Sequence, residues 1–429
     1  MAKKKKLDNI YTVTQYQPND CVTSSSIMVE VDGLKILLDL GLMQDSSLQF
    51  PQLYHKNMEK LQSIPYDELD YVCVSHFHYD HSSAIPILNR DETGFNGTII
   101  TTELTAELGK KIMEDAQNIN QSDVDKRMLN DKNNTRGKKT KYRTFYDKDD
   151  VEDVFDYVRC YSYHQPIKLS DRVTVELLPA CHASGASMIY IIYRDECKVR
   201  RLLYTGDITY GHKVDRPFTM NIDDKCLKVD YLICESTYGL RNKQIYTEEH
   251  PVDFMERVIL EEVIGRNQTL WIPSFAVHRS TVLCYYLNEI LNRNEVIRKA
   301  NIPIYFCGRM LKEAHEIIGK DKYNEYYDEQ WHDKKEIFRD GKFNFLTTKQ
   351  DVEHFCLNNT RKIVISSAGM YDKGYSALLA ESYVANKKVS TVACGYQGES
   401  TLGWHIREGT PFVNFNGIGR NVRLKYRGT

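Results

Sequence analysis

Tyr71-Val72-Cys73-Val74-Ser75-His76-Phe77-His78-Tyr79-Asp80-His81 reads as a short apolar strand that ends at Ser75 and runs at once into an HxHxDH cluster. Loops at strand ends are where chains concentrate binding and catalytic groups. His76 and His78, two positions apart, can direct two imidazoles at one metal ion, while Asp80 and His81, at the start of the next helix, can reach a second ion nearby. Without a metal, three histidines and an aspartate within six positions would leave several polar groups to be desolvated without partners. The stretch therefore predicts a metal site behind a buried strand.

More ligands recur in the same context. His182 follows the strand ending Leu177-Leu178-Pro179-Ala180, and Asp207 follows Tyr204-Thr205-Gly206. Alone, His182 could be structural and Asp207 a turn residue after glycine. Beside HxHxDH they become ligand candidates, and a carboxylate such as Asp207 can bridge two metal ions. Coordination lowers the pKa of water to about 7, which would supply a nucleophile at neutral pH.

The order HFHYDH, ACHASG, YTGD resembles the metallo-β-lactamase superfamily. That resemblance implies a four-layer αβ/βα sandwich and two zinc ions. His76, His78 and His182 would hold one zinc, Asp80 and His81 the other, with Asp207 between them. Asp39, in LLDLG, matches an aspartate that supports the ligands from behind, although by itself it would be a turn residue before Gly41.

A second set of motifs narrows the branch. Tyr231-Leu232-Ile233-Cys234-Glu235-Ser236-Thr237-Tyr238-Gly239 leads into further α/β sequence and is similar to the metallo-β-CASP nucleases. The resemblance gives Glu235 the role of orienting a catalytic histidine; otherwise it would be a cap. IPSFAVHR (272–279), SSAGM (366–370) and GYQG (395–398) followed by Thr401-Leu402-Gly403 look like signatures of the same family. SSAGM reads as a buried strand meeting a helix start, whose free amides would suit a phosphate. Ser367, Gly369 and Gly395 are accordingly the candidate substrate contacts, although each glycine could equally serve only its turn.

Around these motifs, Ser26–Glu30 and Lys35–Asp39 flank an Asp-Gly pair and predict a β-hairpin. A strand-rich α/β domain over residues 1–239 follows, with a helix at Glu103–Asp115 and a polar surface insertion over 118–150. From residue 240 to 429 strands and helices alternate, which predicts a doubly wound, largely parallel sheet, broken by a polar connection at 321–342. The expected fold class is thus α/β, a metallo-β-lactamase sandwich with an inserted doubly wound β-CASP domain.

Bulk properties exclude more than they identify. A chain of 429 residues exceeds what one hydrophobic core usually serves. With 41% hydrophobic and 27% charged residues it is neither fibrous nor disordered, and a net charge of −2 leaves nucleic acid open, since a nuclease needs only a local basic groove. MAKKKKL is followed by Asp8 and Asn9 where a secretory signal would turn apolar, so it reads as a solvated terminus. No run reaches the roughly 20 apolar residues of a membrane span. Eleven cysteines form no CxxC pair, and Cys73, Cys234, Cys307 and Cys394 sit in apolar runs, which predicts buried thiols in a reducing, cytoplasmic setting.

Taken together these features predict a hydrolase: a zinc-dependent ribonuclease that cuts single-stranded RNA to 5′-phosphate and 3′-hydroxyl products in RNA processing. SSAGM and GYQ resemble the branch of ribonuclease J and the polyadenylation endonuclease. Three other readings stay open: a DNA nuclease of the family, a silent RNA-binding scaffold, and a small-molecule metallohydrolase, the last disfavoured by the second domain. Cys181 and His278 replace small residues of the family pattern. Family members also continue past the point equivalent to Thr429 with further histidines, so a part returning to the first domain is expected from a complementing chain or a second copy. His405 lies too early to replace them and reads as a surface residue.

Overall fold

The computed structural model describes residues 2–17, 23–44, 48–133, 142–209, 228–237, 239, 249–329, 332, 337, 343–358, 360–415 and 418–427. Two compact units result, one from residues up to about 241 together with Glu325–Asp328, the other from most of the remainder. Tyr238 and the start of the second predicted domain at 240 lie outside the described residues, as do parts of the insertion and of the polar connection.

The first unit carries two sheets. Strands β1 (Lys3–Lys6), β2 (Tyr11–Gln15), β3 (Ile27–Val31), β4 (Leu34–Leu38), β5 (Tyr71–Cys73), β6 (Thr98–Thr101) and β7 (Val158–Cys160) pair in chain order. The second sheet runs β12 (Tyr231–Ile233), β11 (Val199–Tyr204), β10 (Ser187–Arg194), β9 (Val173–Pro179), β8 (Ile167–Lys168). Asp32 and Gly33 join β3 to β4 with φ of 51° and 83°, the left-handed pair that a tight hairpin turn needs. Beyond β4 the pairings with β5, β6 and β7 are parallel, so their C-terminal ends open on one edge.

Side-chain alternation then decides which face meets what. Ile27, Val29, Val31, Ile36, Leu38 and Cys73 point to the second sheet and pack on Val175, Leu177, Ile189, Ile191 and Leu202. Met28, Leu37, Val72, Val74 and Ile99 point the other way, to a core with Tyr54 and Leu61 of α1 (Phe50–Gln62). A third core serves the second unit, whose main sheet has six strands, all parallel, in the order β15 (Asn344–Leu346), β14 (Ile304–Cys307), β16 (Lys362–Ser366), β13 (Thr269–Pro273), β17 (Val389–Thr391), β20 (Lys425–Tyr426), beside a separate antiparallel pair, β18 (Phe412–Phe415) and β19 (Ile418–Asn421). Its helices cover both faces. Cys307 meets Cys356 of α9 (Lys349–Cys356), with sulfurs 3.7 Å apart, while the neighbouring Phe306 meets His315 of α8 (Arg309–Ile318) edge-on at 5.3 Å. This is the doubly wound arrangement expected from the alternating pattern.

Several local expectations need correction. The lysine run is an edge strand, β1, because its backbone pairs with β2 whatever its side chains do. Helix α3 spans Glu103–Asn133, well past Asp115, since Ala116, Gln117 and Val124 each bury against the unit. Phe145 and Tyr146, inside the predicted surface insertion, belong to the core. Tyr323, Tyr326 and Tyr327 of the polar connection are buried too; within the first unit, the Tyr326 hydroxyl accepts the Glu103 N–H at 3.2 Å and its ring meets Tyr163 edge-on. Cys234 is exposed, whereas Cys73 and Cys307 are buried and Cys394 is partly so. Among the described residues, no helix is long and apolar enough to cross a membrane.

Candidate metal centre

Parallel pairing places the C-terminal ends of β4 and β5 side by side, and the LLDLG and HxHxDH loops leave from them together. The two loops touch through backbone, Leu40 donating to the His81 carbonyl at 2.8 Å, and Ser25, just before β3, donates to the Asp80 carbonyl at 2.7 Å. Gly41 permits this approach, because a Cβ there would stand 1.8 Å from the Asp80 oxygen. From the second sheet, the ends of β9 and β11 bring in His182 and Asp207. Gly206, at φ 52°, turns the chain so that Asp207 points inward; a Cβ there would meet the Ser75 hydroxyl at 2.8 Å.

His76, His78, His182 and Asp207 form one group whose ligand atoms all lie within 4.8 Å of one another. His78 Nδ1 stands 3.0 Å from both His76 Nε2 and His182 Nε2. Asp207 Oδ2 is 3.5 Å from His182 Nε2 and 3.9 Å from His76 Nε2. The other carboxylate oxygen, Oδ1, turns to His81 Nε2 at 3.3 Å, and Asp80 Oδ2 lies 3.8 Å from that same nitrogen. Asp207 thus stands between a three-histidine group and an Asp80–His81 pair.

Hydrogen bonds set which ring nitrogens face inward. The His76 Nδ1–H donates to the Ser75 hydroxyl at 3.0 Å, and that hydroxyl donates to Asp39 Oδ2 at 2.8 Å. His76 Nε2 is then left as a lone pair aimed at the cluster. The His81 Nδ1–H donates to Asp39 Oδ2 at 2.7 Å, so its Nε2 faces Asp80 and Asp207. Asp39 is fully buried and also accepts the Ser75 N–H at 2.7 Å and the Tyr204 hydroxyl at 2.6 Å. Tyr204 in turn pairs with the Ser25 hydroxyl at 2.8 Å. Ser75, Tyr204 and Ser25 carried no readable signal, because a serine or tyrosine acquires this role only when distant strands meet.

The electrostatics call for a cation. Burial drives the His76 pKa well down, with His81, His78 and His182 adding to the effect, so the ring is neutral. Burial would also lower His81, but Asp80, Asp207 and Asp39 outweigh it and hold the ring protonated. Asp207 is kept far below the usual carboxylate range by His81, His182 and His76 despite burial, which acts to raise it. Burial pushes Asp80 up. Several lone pairs and the carboxylates of Asp39, Asp80 and Asp207 crowd one pocket around the His81 ring. The donor set fits zinc, since ligands bonded at about 2.0–2.1 Å in a tetrahedron stand about 3.3–3.4 Å apart.

Glu235 also reaches this loop, though its observed contacts are to backbone. Its carboxylate accepts the Ile208 N–H at 2.8 Å, beside Asp207, and the Thr237 N–H at 3.4 Å. Ser367, Gly369 and Gly395 lie in the second unit. Helix α10 (Gly374–Tyr383) begins well after SSAGM, and the Ser367 N–H is taken by the Cys307 carbonyl at 3.2 Å. The helix-start reading of SSAGM therefore fails: the segment after β16 closes its own turn, with Ala368 donating to Lys373. His405 is half-buried in α11 (Leu402–Arg407).

Comparison with known proteins matches residues 28–219 to the metallo-beta-lactamase superfamily domain and residues 281–406 to the Beta-Casp domain. The chain belongs to the metallo-β-CASP family. Its fold class is accordingly α/β, a metallo-β-lactamase fold carrying a β-CASP domain. This β-CASP chain is 28% identical over 415 residues to Integrator complex subunit 11 of Danio rerio, covering 94% of this chain and 62% of that one. It is 26% identical over 399 residues to cleavage and polyadenylation specificity factor subunit 3 of Dictyostelium discoideum, covering 93% and 47%. The candidate RNase MJ4 of Methanocaldococcus jannaschii is 26% identical over 411 residues, covering 94% and 83%. A protein of unknown function from Enterococcus faecalis V583 shares the fold with a TM-score of 0.51 at 12% identity, over 97% of this chain and 87% of that one. The chain thus spans about three fifths of the Integrator relative's length.

The Glu235 contacts carry a prediction. Glu235→Ala should weaken zinc affinity about tenfold by releasing the backbone beside Asp207, and Glu235→Gln should restore most of it, since one carbonyl oxygen still accepts the Ile208 N–H. Competition titration against a zinc chelator measures both; equal losses in the two variants would show that charge, not loop geometry, is what Glu235 supplies.

Proposed function

We propose that this chain is a zinc-dependent phosphodiesterase that cuts single-stranded RNA to 5′-phosphate and 3′-hydroxyl products. The observation that carries the reading is Asp207, one oxygen toward His182 and His76 and the other toward His81. His76, His78 and His182 would hold one zinc, Asp80 and His81 a second, with Asp207 shared. Bound there, zinc would lower the pKa of water toward about 7 and draw charge from a phosphate oxygen.

The chain's own groups do the rest. Asp80, with Oδ2 3.8 Å from His81 Nε2, is placed to help orient the attacking water. Asp39 orients the His76 ring, through Ser75, and the His81 ring directly, so that each Nε2 faces the cluster. Glu235 holds the backbone that presents Asp207. RNA is favoured over DNA by the relatives, which are named for an RNase and for cleavage and polyadenylation. The nine described cysteines form no disulfide, which suits a reducing compartment such as the cytoplasm.

The test is cleavage of matched single-stranded RNA and DNA carrying a 3′ label, with the downstream product's new 5′ end probed by phosphatase sensitivity. The expected result is zinc-dependent RNA cleavage leaving a phosphate on that 5′ end. Cyclic-phosphate products would overturn the mechanism, preferential DNA cleavage the substrate, and bound zinc without cleavage of either would identify a scaffold.

A further inference from the structure

Tyr396 is 65% exposed, more than any other large hydrophobic side chain among the described residues. It sits past the C-terminal end of β17, in the all-parallel sheet of the second unit. Ligands of open α/β sheets bind outside the carboxyl ends of the strands. On the same edge β13 leads into Phe275, β14 into Gly308 and Arg309, and β16 into Ser367.

Exposure here does not come from a loose loop. The buried Gln397 amide donates to the Gly369 carbonyl at 3.0 Å and to the Gly395 carbonyl at 3.1 Å, tying the two signature loops together. Phe275 packs against both glycines: a Cβ would come within 3.0 Å of its backbone at Gly369 and 2.9 Å of its ring at Gly395. The Thr401 hydroxyl closes the far side on the Gly398 carbonyl at 2.6 Å. Arg279 begins α6 (Arg279–Arg293) close enough to counter the effect of burial on the Cys394 thiol, so positive charge stands at the base of the loop. A braced loop that holds an aromatic ring in water has already met much of the ordering cost of binding a flat partner.

We propose that Tyr396 is a nucleobase platform on which one unpaired base of the RNA stacks. It rests on the RNA reading above and adds to it a contact in the second unit that is insensitive to base identity, since every base has a π-face. The glycines of SSAGM and GYQG then serve to fit Phe275 and fix the loop, and the tyrosine between Gly395 and Gln397 meets the substrate.

The experiment is fluorescence anisotropy with a labelled single-stranded RNA and the full chain with its zinc removed by chelation, so that no cleavage occurs. Tyr396→Ala should bind about tenfold more weakly, with Tyr396→Phe and Tyr396→Trp within about twofold of the parent. The slope of log Kd against log salt should not change, because stacking releases no counterions. In a series of RNAs with one abasic position each, one position should reproduce the tenfold loss in the parent and have no effect in Tyr396→Ala. Parent-like binding by Tyr396→Ala, or an equal loss in Tyr396→Phe, would overturn the platform while leaving the RNA reading intact. A parent chain that binds no RNA would overturn both. Unaltered zinc uptake by Tyr396→Ala guards against misfolding as the cause.

Discussion

Asp207→Ala is expected to lower RNA cleavage by roughly 10³-fold or more while leaving the fold in place. Asp207 turns one carboxylate oxygen to each ligand group, so its loss strips an oxygen from the His76, His78, His182 group and another from the Asp80–His81 pair. Asp207→Asn is the sharper form. It keeps the shape but removes the charge that His81, His182 and His76 balance, and its amide nitrogen is no ligand. Both variants should bind less zinc than the parent, and single-turnover cleavage should fall in step with metal content. Because Asp207 is partly exposed at the mouth of a rigid strand end, circular dichroism should remain that of the parent. Cleavage by Asp207→Ala within tenfold of the parent would remove the bridging carboxylate from the mechanism.

Asp39→Ala should be nearly as damaging, by a different route. It touches no candidate ligand position except through hydrogen bonds, yet it accepts four of them in a fully buried site. Removing it leaves the buried His81 ring without its nearest balancing charge and takes one hydrogen-bond acceptor from the Tyr204 and Ser75 hydroxyls, a cost of about 3–5 kcal/mol. Alanine would also have to adopt the left-handed φ of 59° that Asp39 holds, at about 1 kcal/mol more. Asparagine tolerates that conformation and keeps one acceptor oxygen. The variants therefore separate two effects: Asp39→Asn should lose about 10–100-fold in zinc affinity with a moderate fall in denaturation midpoint, whereas Asp39→Ala should lose both affinity and several kcal/mol of stability. Matching stabilities for the two would show that the backbone conformation is not strained by alanine. Unchanged zinc affinity in both would mean that the ligands need no support from Asp39.

How far the sequence could be read depended on whether a residue's role is local. His76, His78, Asp80 and His81 are dense in chain order, so the cluster announced itself, and His182 and Asp207 shared its position after a strand. Asp39 was reached only by resemblance; its partners Ser75, Tyr204 and Ser25 come from both sheets, and no pattern within any one strand marks them. The hairpin at Asp32-Gly33 was legible because turn chemistry is local. Lys3–Lys6 was not, because four exposed lysines show no alternation and become a strand only by pairing with Tyr11–Gln15. Helix α3 misled for the opposite reason: a polar run can still bury Val124 and so continue a helix that composition alone would end. The SSAGM segment differs from the expected helix start because the helix waits until Gly374, the Ser367 amide goes to Cys307 of β14, and the Ala368 and Tyr371 amides bond within the turn itself.

The most direct measurement is the metal content of the purified full chain, by inductively coupled plasma mass spectrometry, paired with cleavage of 5′-labelled RNA before chelation, after it, and after zinc is returned. The expected result is close to two zinc ions per chain, with cleavage that disappears on chelation and returns with zinc. Less than one metal ion per chain, or cleavage that survives complete chelation, would contradict the account.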